Sequence, residues 1–230
     1  MENIKFIFFD LDNTLLDHTH AEKIALHQTF ENDLKEIVHA DFDSFKTVYH
    51  EINTRLWSLY SQSKISKDEV RLGRFRDSLK YFGIIDFDIK KLWENYALRY
   101  RGNWKPIEYS SEILHYLNDK NYRLGIISNG FTELQNDKIK KMGWTHYFKS
   151  IILSEEIGVQ KPNPLIFKSA LKSSQMDVSE VIYIGDSYET DISGAKNSGW
   201  KSIYFNPNGL NSEDSTVTTI VELNDLKKYF

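Results

Sequence analysis

Five apolar runs of strand length constrain what this chain can fold into more than any other feature: Phe6 to Phe9, Leu124 to Ile127, Ile151 to Leu153, Val181 to Ile184 and Ser202 to Phe205. Short runs without polar alternation read as strands covered on both faces. The spacers after the second, third and fourth runs are about 18 to 28 residues long, enough for the helical crossover that parallel pairing requires. Helix punctuation agrees, with Asn163 and Pro164 placed as an N-cap and first-turn proline, and Gly143 and Gly199 placed as C′ residues. The pattern implies an α/β fold, a doubly wound parallel sheet with helices on both faces.

The first connection breaks this alternation. About 95 residues, from Leu15 to Glu112, separate strand one from the next core helix, far more than a crossover needs. Within them Ile24, Leu26, Phe30 and Leu34, then Val48, Ile52, Leu56, Leu59 and Tyr60, then Val70, Leu72, Phe75, Leu79 and Phe82 recur near helical spacing. Ser66 followed by Glu69 is a capping-box signature. The expected organisation is an α/β core over 1–15 and 106–230, with an inserted helical cap over 16–105.

Composition narrows the chemistry. The chain has no cysteine, which removes thiolate nucleophiles and zinc–thiolate sites. A formal charge of −4 without any Lys/Arg block leaves no footprint for a nucleic-acid polymer. The apolar stretch from Ile4 to Phe9 is too short for a signal peptide or a membrane span. A cytoplasmic protein acting on a small molecule, without a membrane partner, is the expectation.

The residues that end the apolar runs carry the chemistry. Phe9 is followed by Asp10, Ile127 by Ser128, Leu153 by Ser154, and Ile184 by Gly185 and Asp186. In an open parallel sheet ligands bind outside the carboxyl ends of the strands, so these residues should converge. Carboxylates delivered there repel one another unless a cation joins them, and an all-oxygen set favours Mg²⁺. In the segment DLDNT, Asp10 and Asp12 share one side if the strand continues, so that one carboxylate can attack phosphorus while the other moves protons. Ser128, Asn129 and Gly130 open a helix where a phosphate would sit, Lys161 precedes the Pro164 helix, and Asp186 and Asp191 flank a strand-to-helix turn. Taken singly, each has a plainer reading: a turn, a solvated lysine, an N-cap. An EF-hand reading of DLDNT is weaker, since Leu15 stands where the glycine is required.

In combination and order, DLDNT, Ser128, Lys161 and GDSYETD resemble the four motifs of the haloacid dehalogenase-like hydrolase superfamily. That resemblance implies Asp10 as the nucleophile forming an aspartyl-phosphate and Asp12 as general acid and base, with its main-chain carbonyl on Mg²⁺. It implies Asp186 as a further metal ligand, Ser128, Asn129 and Lys161 around the phosphoryl group, and Asp191 behind Lys161 or a metal-bound water. Relatives that remove halide lack an acid at the position of Asp12, so a phosphatase is expected.

The insertion between the first two motifs resembles the C1-type cap that closes over small phosphorylated metabolites. SNGFTELQ, SEEIGVQKPNPLIF and GDSYETDISGAKNSG are most similar to bacterial pyrimidine 5′-nucleotidases acting on UMP, dUMP and dTMP, and the last also to N-acylneuraminate-9-phosphatases. Cap candidates for substrate contact are Trp57, Tyr60 and Phe75 as stacking faces, with Arg71, Arg74 and Arg76 as phosphate or base contacts. Asp17, His18 and His20 read as a hinge surface rather than a zinc pair, because the spacing of His18 and His20 is not that of a helical metal site. Alternatives are a phosphatase for N-acylneuraminate 9-phosphate, phosphoglycolate or a sugar phosphate, and a non-catalytic phospho-ligand sensor. Either a monomer or a homodimer accords with the sequence.

Overall fold

The computed structural model describes residues 1, 3–209, 214 and 216–230. They divide into two compact units, Met1–Asp17 with Lys105–Phe230, and His18–Trp104.

The first unit is built on a parallel sheet of six strands: β1 (Phe6–Phe9), β2 (Arg123–Ser128), β3 (Phe148–Leu153), β4 (Val181–Gly185), β5 (Lys201–Phe205) and β6 (Thr218–Ile220). Their order is β3-β2-β1-β4-β5-β6, so the chain winds outward from β1 in both directions. Phe6 lies opposite Arg123 on one side and Val181 on the other, which makes β1 the central strand. All four residues of β1 are buried, as a run without polar alternation requires. Phe6, Phe8, Ile127, Phe167, Tyr183 and Trp200 pack into one layer of the core. Each fully buried large apolar side chain of this kind contributes roughly 1.5–3 kcal/mol. Five strands coincide with the apolar runs. The sixth, β6, is a three-residue edge strand of two half-buried threonines and one isoleucine, too short and too mixed to produce a periodic signal.

Within the other unit α1 (His18–Thr29), α2 (Phe42–Ser61), α3 (Lys67–Tyr81) and α4 (Ile89–Gly102) form a helical bundle. Its core is aromatic: the Phe75 ring lies 5.3 Å from that of Tyr49 and 5.2 Å from that of Tyr96. The buried face of α2 is Phe45, Tyr49 and Leu56: Leu56 belongs to the expected stripe, whereas Val48, Ile52, Leu59 and Tyr60 are only half-buried, because the aromatic rings of Phe45 and Tyr49 take the interior. Ser66 caps α3 through the Glu69 main-chain N–H, while the Glu69 carboxylate turns to Arg76 instead of completing the capping box.

The chain returns to the first unit through α5 (Ser110–Asp119), followed by α6 (Thr132–Lys141), α7 (Ser154–Ile157), α8 (Pro164–Ser174) and α9 (Ser193–Asn197) between and after the later strands. Asn163 caps α8, its side chain accepting from the Leu165 N–H at 3.0 Å. Among the described residues no helix is long and apolar enough to cross a membrane.

Candidate active site

β1 and β4 are neighbours from which the chain winds in opposite directions, so the crevice outside their carboxyl ends is where such a sheet places its ligand. Asp10 leaves β1 there, Asp186 leaves β4, and Ser128 ends β2. The strand geometry of β1 stops at Phe9, and Asp12 sits beyond it in a bridge with Leu16. Asp10 and Asp12 are therefore not placed by strand alternation, and different partners hold them.

Asp10 is held by Lys161. The Lys161 ammonium, 5% exposed, donates to Asp10 Oδ1 at 2.6 Å, to Asp191 Oδ1 at 2.7 Å and to the Tyr183 hydroxyl at 2.8 Å, which uses all three of its protons. Burial opposes its charge, but the two carboxylates beside it outweigh that and hold its pKa above the usual lysine value. Asp191 reaches Lys161 from a π-helical turn, Tyr188–Ile192, and its other oxygen accepts from the Ser187 N–H at 3.0 Å. Gly185 makes that approach possible, since a Cβ there would lie 2.4 Å from Asp191 Oδ2. Main-chain pairing fixes the Lys161 segment: the Asn129 side chain accepts from the Lys161 N–H at 2.7 Å and donates to the Lys161 carbonyl at 3.0 Å.

Asp10, Asp186 and Asp191 each offer an oxygen within 4.8 Å of the others. Burial, more than any neighbouring charge, pushes the Asp10 carboxyl well above the ordinary carboxylate range, with Lys161 pulling the other way. Burial and then the Asp191 charge raise Asp186 to about 6. Carboxylates crowded in this way, with only oxygen donors among them, fit a hard divalent cation such as Mg²⁺. Asp191 already accepts from Lys161, Tyr183 and Ser187, so Asp10 and Asp186 are the members left to ligate. Asp186 is steadied by the Thr14 hydroxyl, which donates to its Oδ1 at 3.0 Å.

This arrangement sets a test without turnover. The folded pKa of Asp186 lies above the unfolded value, so its proton stabilises the metal-free fold at low pH, and that contribution is lost as pH rises through about 6. In chelator at pH 8, Asp186→Asn is expected to unfold with roughly 1–3 kcal/mol more stability than the native chain, the gain vanishing by pH 4. Adding Mg²⁺ should stabilise the native chain alone. Thermal melts across pH check both, and a variant less stable at pH 8 would contradict the crowding argument.

Asp12 belongs to a second cluster. Lys138 donates to its two oxygens at 2.6 and 2.9 Å, and Gln135 donates to Oδ2 at 2.9 Å. Gln135, Lys138 and Tyr183 were not singled out in the sequence reading. Gln135 and Lys138 occupy the buried face of α6 beside Ile139, so two polar residues on an otherwise inward stripe were the available signal. Tyr183 lies within the apolar run of β4, where its ring gave no such sign.

The cap candidates all lie in the His18–Trp104 unit. Phe75 is wholly buried in the aromatic core, a correction to its expected role as a stacking face. Trp57 and Tyr60 form an edge-on pair with ring centroids 5.7 Å apart and remain half-buried. Arg71 lies 5.3 Å over the Trp93 ring and 3.9 Å from Asp68. Arg74 is inserted among Tyr49, Phe75 and Tyr96, its guanidinium carbon 4.9 Å from the Tyr96 ring centre, and its Nε has no hydrogen-bond partner. His18 Nδ1 lies 2.6 Å from the Tyr100 hydroxyl, and no metal-ligand cluster forms around it among the described residues.

Comparisons with known proteins agree with this geometry. A family model described as haloacid dehalogenase-like hydrolase matches residues 7–205. The chain is 32% identical over 216 residues to the pyrimidine 5′-nucleotidase PynA of Streptococcus pneumoniae, covering 94% of this chain and 89% of that one. It is also 32% identical over 207 residues to a glyceraldehyde 3-phosphate phosphatase of Pyrococcus abyssi, covering 88% and 81%. Among solved structures, that of the HAD-hydrolase YfnB from Bacillus subtilis, bound to magnesium, superposes with a TM-score of 0.83 at 28% identity, covering 99% of this chain and 98% of that one.

Proposed function

The chain belongs to the haloacid dehalogenase-like hydrolase family, and from that premise we propose that it is a Mg²⁺-dependent phosphomonoesterase acting on pyrimidine nucleoside 5′-monophosphates such as UMP, dUMP and dTMP. One observation carries the phosphatase reading: two carboxylates, Asp10 and Asp12, stand at the end of the central strand, held by separate lysines, Lys161 and Lys138. A halide leaves as an anion and needs no proton. An alkoxide does, and Asp12 is the second acid that such a leaving group requires. The 5′-nucleotidase relative supports the substrate class.

In the proposed mechanism Asp10 attacks phosphorus, forming an aspartyl-phosphate as the ester P–O bond breaks. Asp12, which takes up a proton before the ester bond breaks, delivers it to the departing oxygen, then takes one from the water that attacks the aspartyl-phosphate and regenerates Asp10. Ser128 donates to a phosphoryl oxygen, and the Lys161 proton that Asp10 gives up as it attacks turns to the phosphoryl group, where the ammonium offsets charge as it develops. Asp10, Asp186 and the Asp12 main-chain carbonyl would hold Mg²⁺, which when bound offsets the negative charge that otherwise repels an anionic substrate. Asp191 keeps Lys161 in place through the bond at 2.7 Å.

The test is phosphate release with Mg²⁺ from UMP, dUMP, dTMP, purine nucleotides, N-acylneuraminate 9-phosphate, phosphoglycolate and glyceraldehyde 3-phosphate. Activity concentrated on pyrimidine nucleotides supports the assignment. Activity concentrated elsewhere keeps the mechanism and replaces the substrate, and none anywhere favours a phospho-ligand sensor. Within the cap unit we assign substrate affinity to Arg74, a guanidinium among three aromatic rings. Arg74→Ala is expected to raise KM for UMP about tenfold while changing KM for p-nitrophenyl phosphate less than about twofold, a charged hydrogen bond being worth roughly 1.5–3 kcal/mol. Equal changes for both substrates would remove Arg74 from recognition.

A further inference from the structure

The inner face of α6 presents a polar network that the mechanism above leaves unused. Gln135 is fully buried and Lys138 is 1% exposed, positions that neither residue type occupies without partners. Lys138 bonds both oxygens of Asp12, and Gln135 adds a third donor at Oδ2. Because the Asp12 carboxylate beside that ammonium only accepts, the Gln135 amide must turn its NH₂ toward it. The second proton of the same NH₂ goes to Ser128 Oγ at 2.6 Å.

Ser128 is thereby given a direction. Its oxygen accepts from Gln135 and, at 3.3 Å, from the Gly130 N–H, so both lone pairs face donors and its own hydrogen is left to be donated. Gly130 is required for this packing, since a Cβ there would lie 2.4 Å from Gln135 Cδ. One helix therefore ties the carboxylate at the end of the central strand to the hydroxyl at the end of its neighbour.

Resting on the phosphatase reading, we propose that Gln135 and Lys138 are positioning residues of the reaction. Together they clamp Asp12 where it exchanges protons with the leaving oxygen and the attacking water, and Gln135 turns the Ser128 hydroxyl to donate to the phosphoryl group. Neither side chain is assigned a contact with the substrate. Their effect is exerted through Asp12 and Ser128.

The test compares UMP, whose alkoxide must be protonated to leave, with p-nitrophenyl phosphate, whose phenolate leaves without a proton. Stopped-flow and steady-state rates are measured for the full chain with Mg²⁺, for Lys138→Met and for the isosteric Gln135→Glu. Lys138→Met is expected to lower kcat for UMP about 100-fold with KM changed less than about threefold. With p-nitrophenyl phosphate the same variant should keep a burst of about one phenolate per enzyme, followed by slow turnover, since the displaced Asp12 no longer activates water. Gln135→Glu presents an acceptor to Ser128 and reverses its hydroxyl, so KM should rise about tenfold for both substrates. A kcat for Lys138→Met on UMP within about threefold of the native value overturns the proposal, as does an equal loss on both substrates without a burst. If Lys138→Met does not fold, the isosteric Gln135→Glu carries the test alone, an unchanged KM overturning it. A native enzyme silent on every phosphomonoester would sink the phosphatase reading, and this inference with it.

Discussion

Replacing Asp10 with asparagine is expected to lower kcat for every phosphomonoester by at least about 10⁴-fold, because the variant keeps the shape of the side chain and loses the nucleophilic oxygen. The isosteric change isolates chemistry from packing. Asp10 is 7% exposed and its pKa is raised by burial and by the neighbouring Asp191 and Asp186, so removing its charge relieves repulsion instead of creating it. The melting temperature of Asp10→Asn in chelator should therefore equal or exceed that of the native chain while activity disappears. Acid quenching during turnover of a ³²P-labelled ester separates the explanations: the native chain should carry covalent phosphate and the variant none. Residual activity above about 1% would assign the nucleophile elsewhere.

The largest effect on stability is expected at Lys161. Its ammonium bonds Asp10, Asp191 and Tyr183, and Lys161→Met would leave two carboxylates in the interior without their counter-charge, while the Tyr183 hydroxyl keeps its bond to the Ile127 carbonyl at 2.9 Å. Removing one member of a buried ion pair costs about 3–5 kcal/mol, because the partner left behind keeps its desolvation without its attraction. For a chain of this length that corresponds to a fall in Tm of roughly 6–20 °C. The sign with pH follows from the stranded groups. Without the lysine the folded pKa of Asp10, already raised by burial, rises further above the unfolded one, so protonation restores stability as pH falls and the loss is fullest at neutral pH and above. The gap in Tm between native and variant chains should thus narrow toward pH 5. A variant melting within about 2 °C of the native chain at pH 7.5 would show that the ion pairs contribute little net stability. Activity should fall together with stability, since the same ammonium is the group assigned to the phosphoryl oxygens.

Much of this was legible in the chain itself, for local reasons. A strand buried on both faces must be a continuous apolar run, so β1 to β5 declare themselves, and the residue after each run is placed by covalent connection at the carboxyl edge of the sheet. Asp10, Ser128 and Asp186 needed no more than that to be brought to one crevice. The long interruption after β1 likewise announced a separate helical body, although α4 within it, packed through Leu92, Tyr96 and Tyr100, was not resolved as an element of its own.

What tertiary structure alone decided is which polar groups meet across long stretches of chain. Lys161 and Asp10 are 151 residues apart in sequence and 2.6 Å apart in space, and Lys138 and Asp12 are separated by 126 residues. No periodicity encodes such a pairing, because period reports burial along one element and not the identity of the neighbour on another. Gln135, Lys138 and Tyr183 are hidden for the same reason, each being a polar group set where an apolar one is expected and made tolerable by a partner from a distant segment. Phe75 shows the converse: helical spacing marked it correctly as inward-facing, and only the packed rings of Tyr49 and Tyr96 show that its inward side is core. By itself the sequence determined the sheet and the carboxylates at its edge, because both follow from local burial and chain connection. The three-dimensional packing determined their partners, because desolvated charges are stabilised by whichever groups the fold brings within bonding distance.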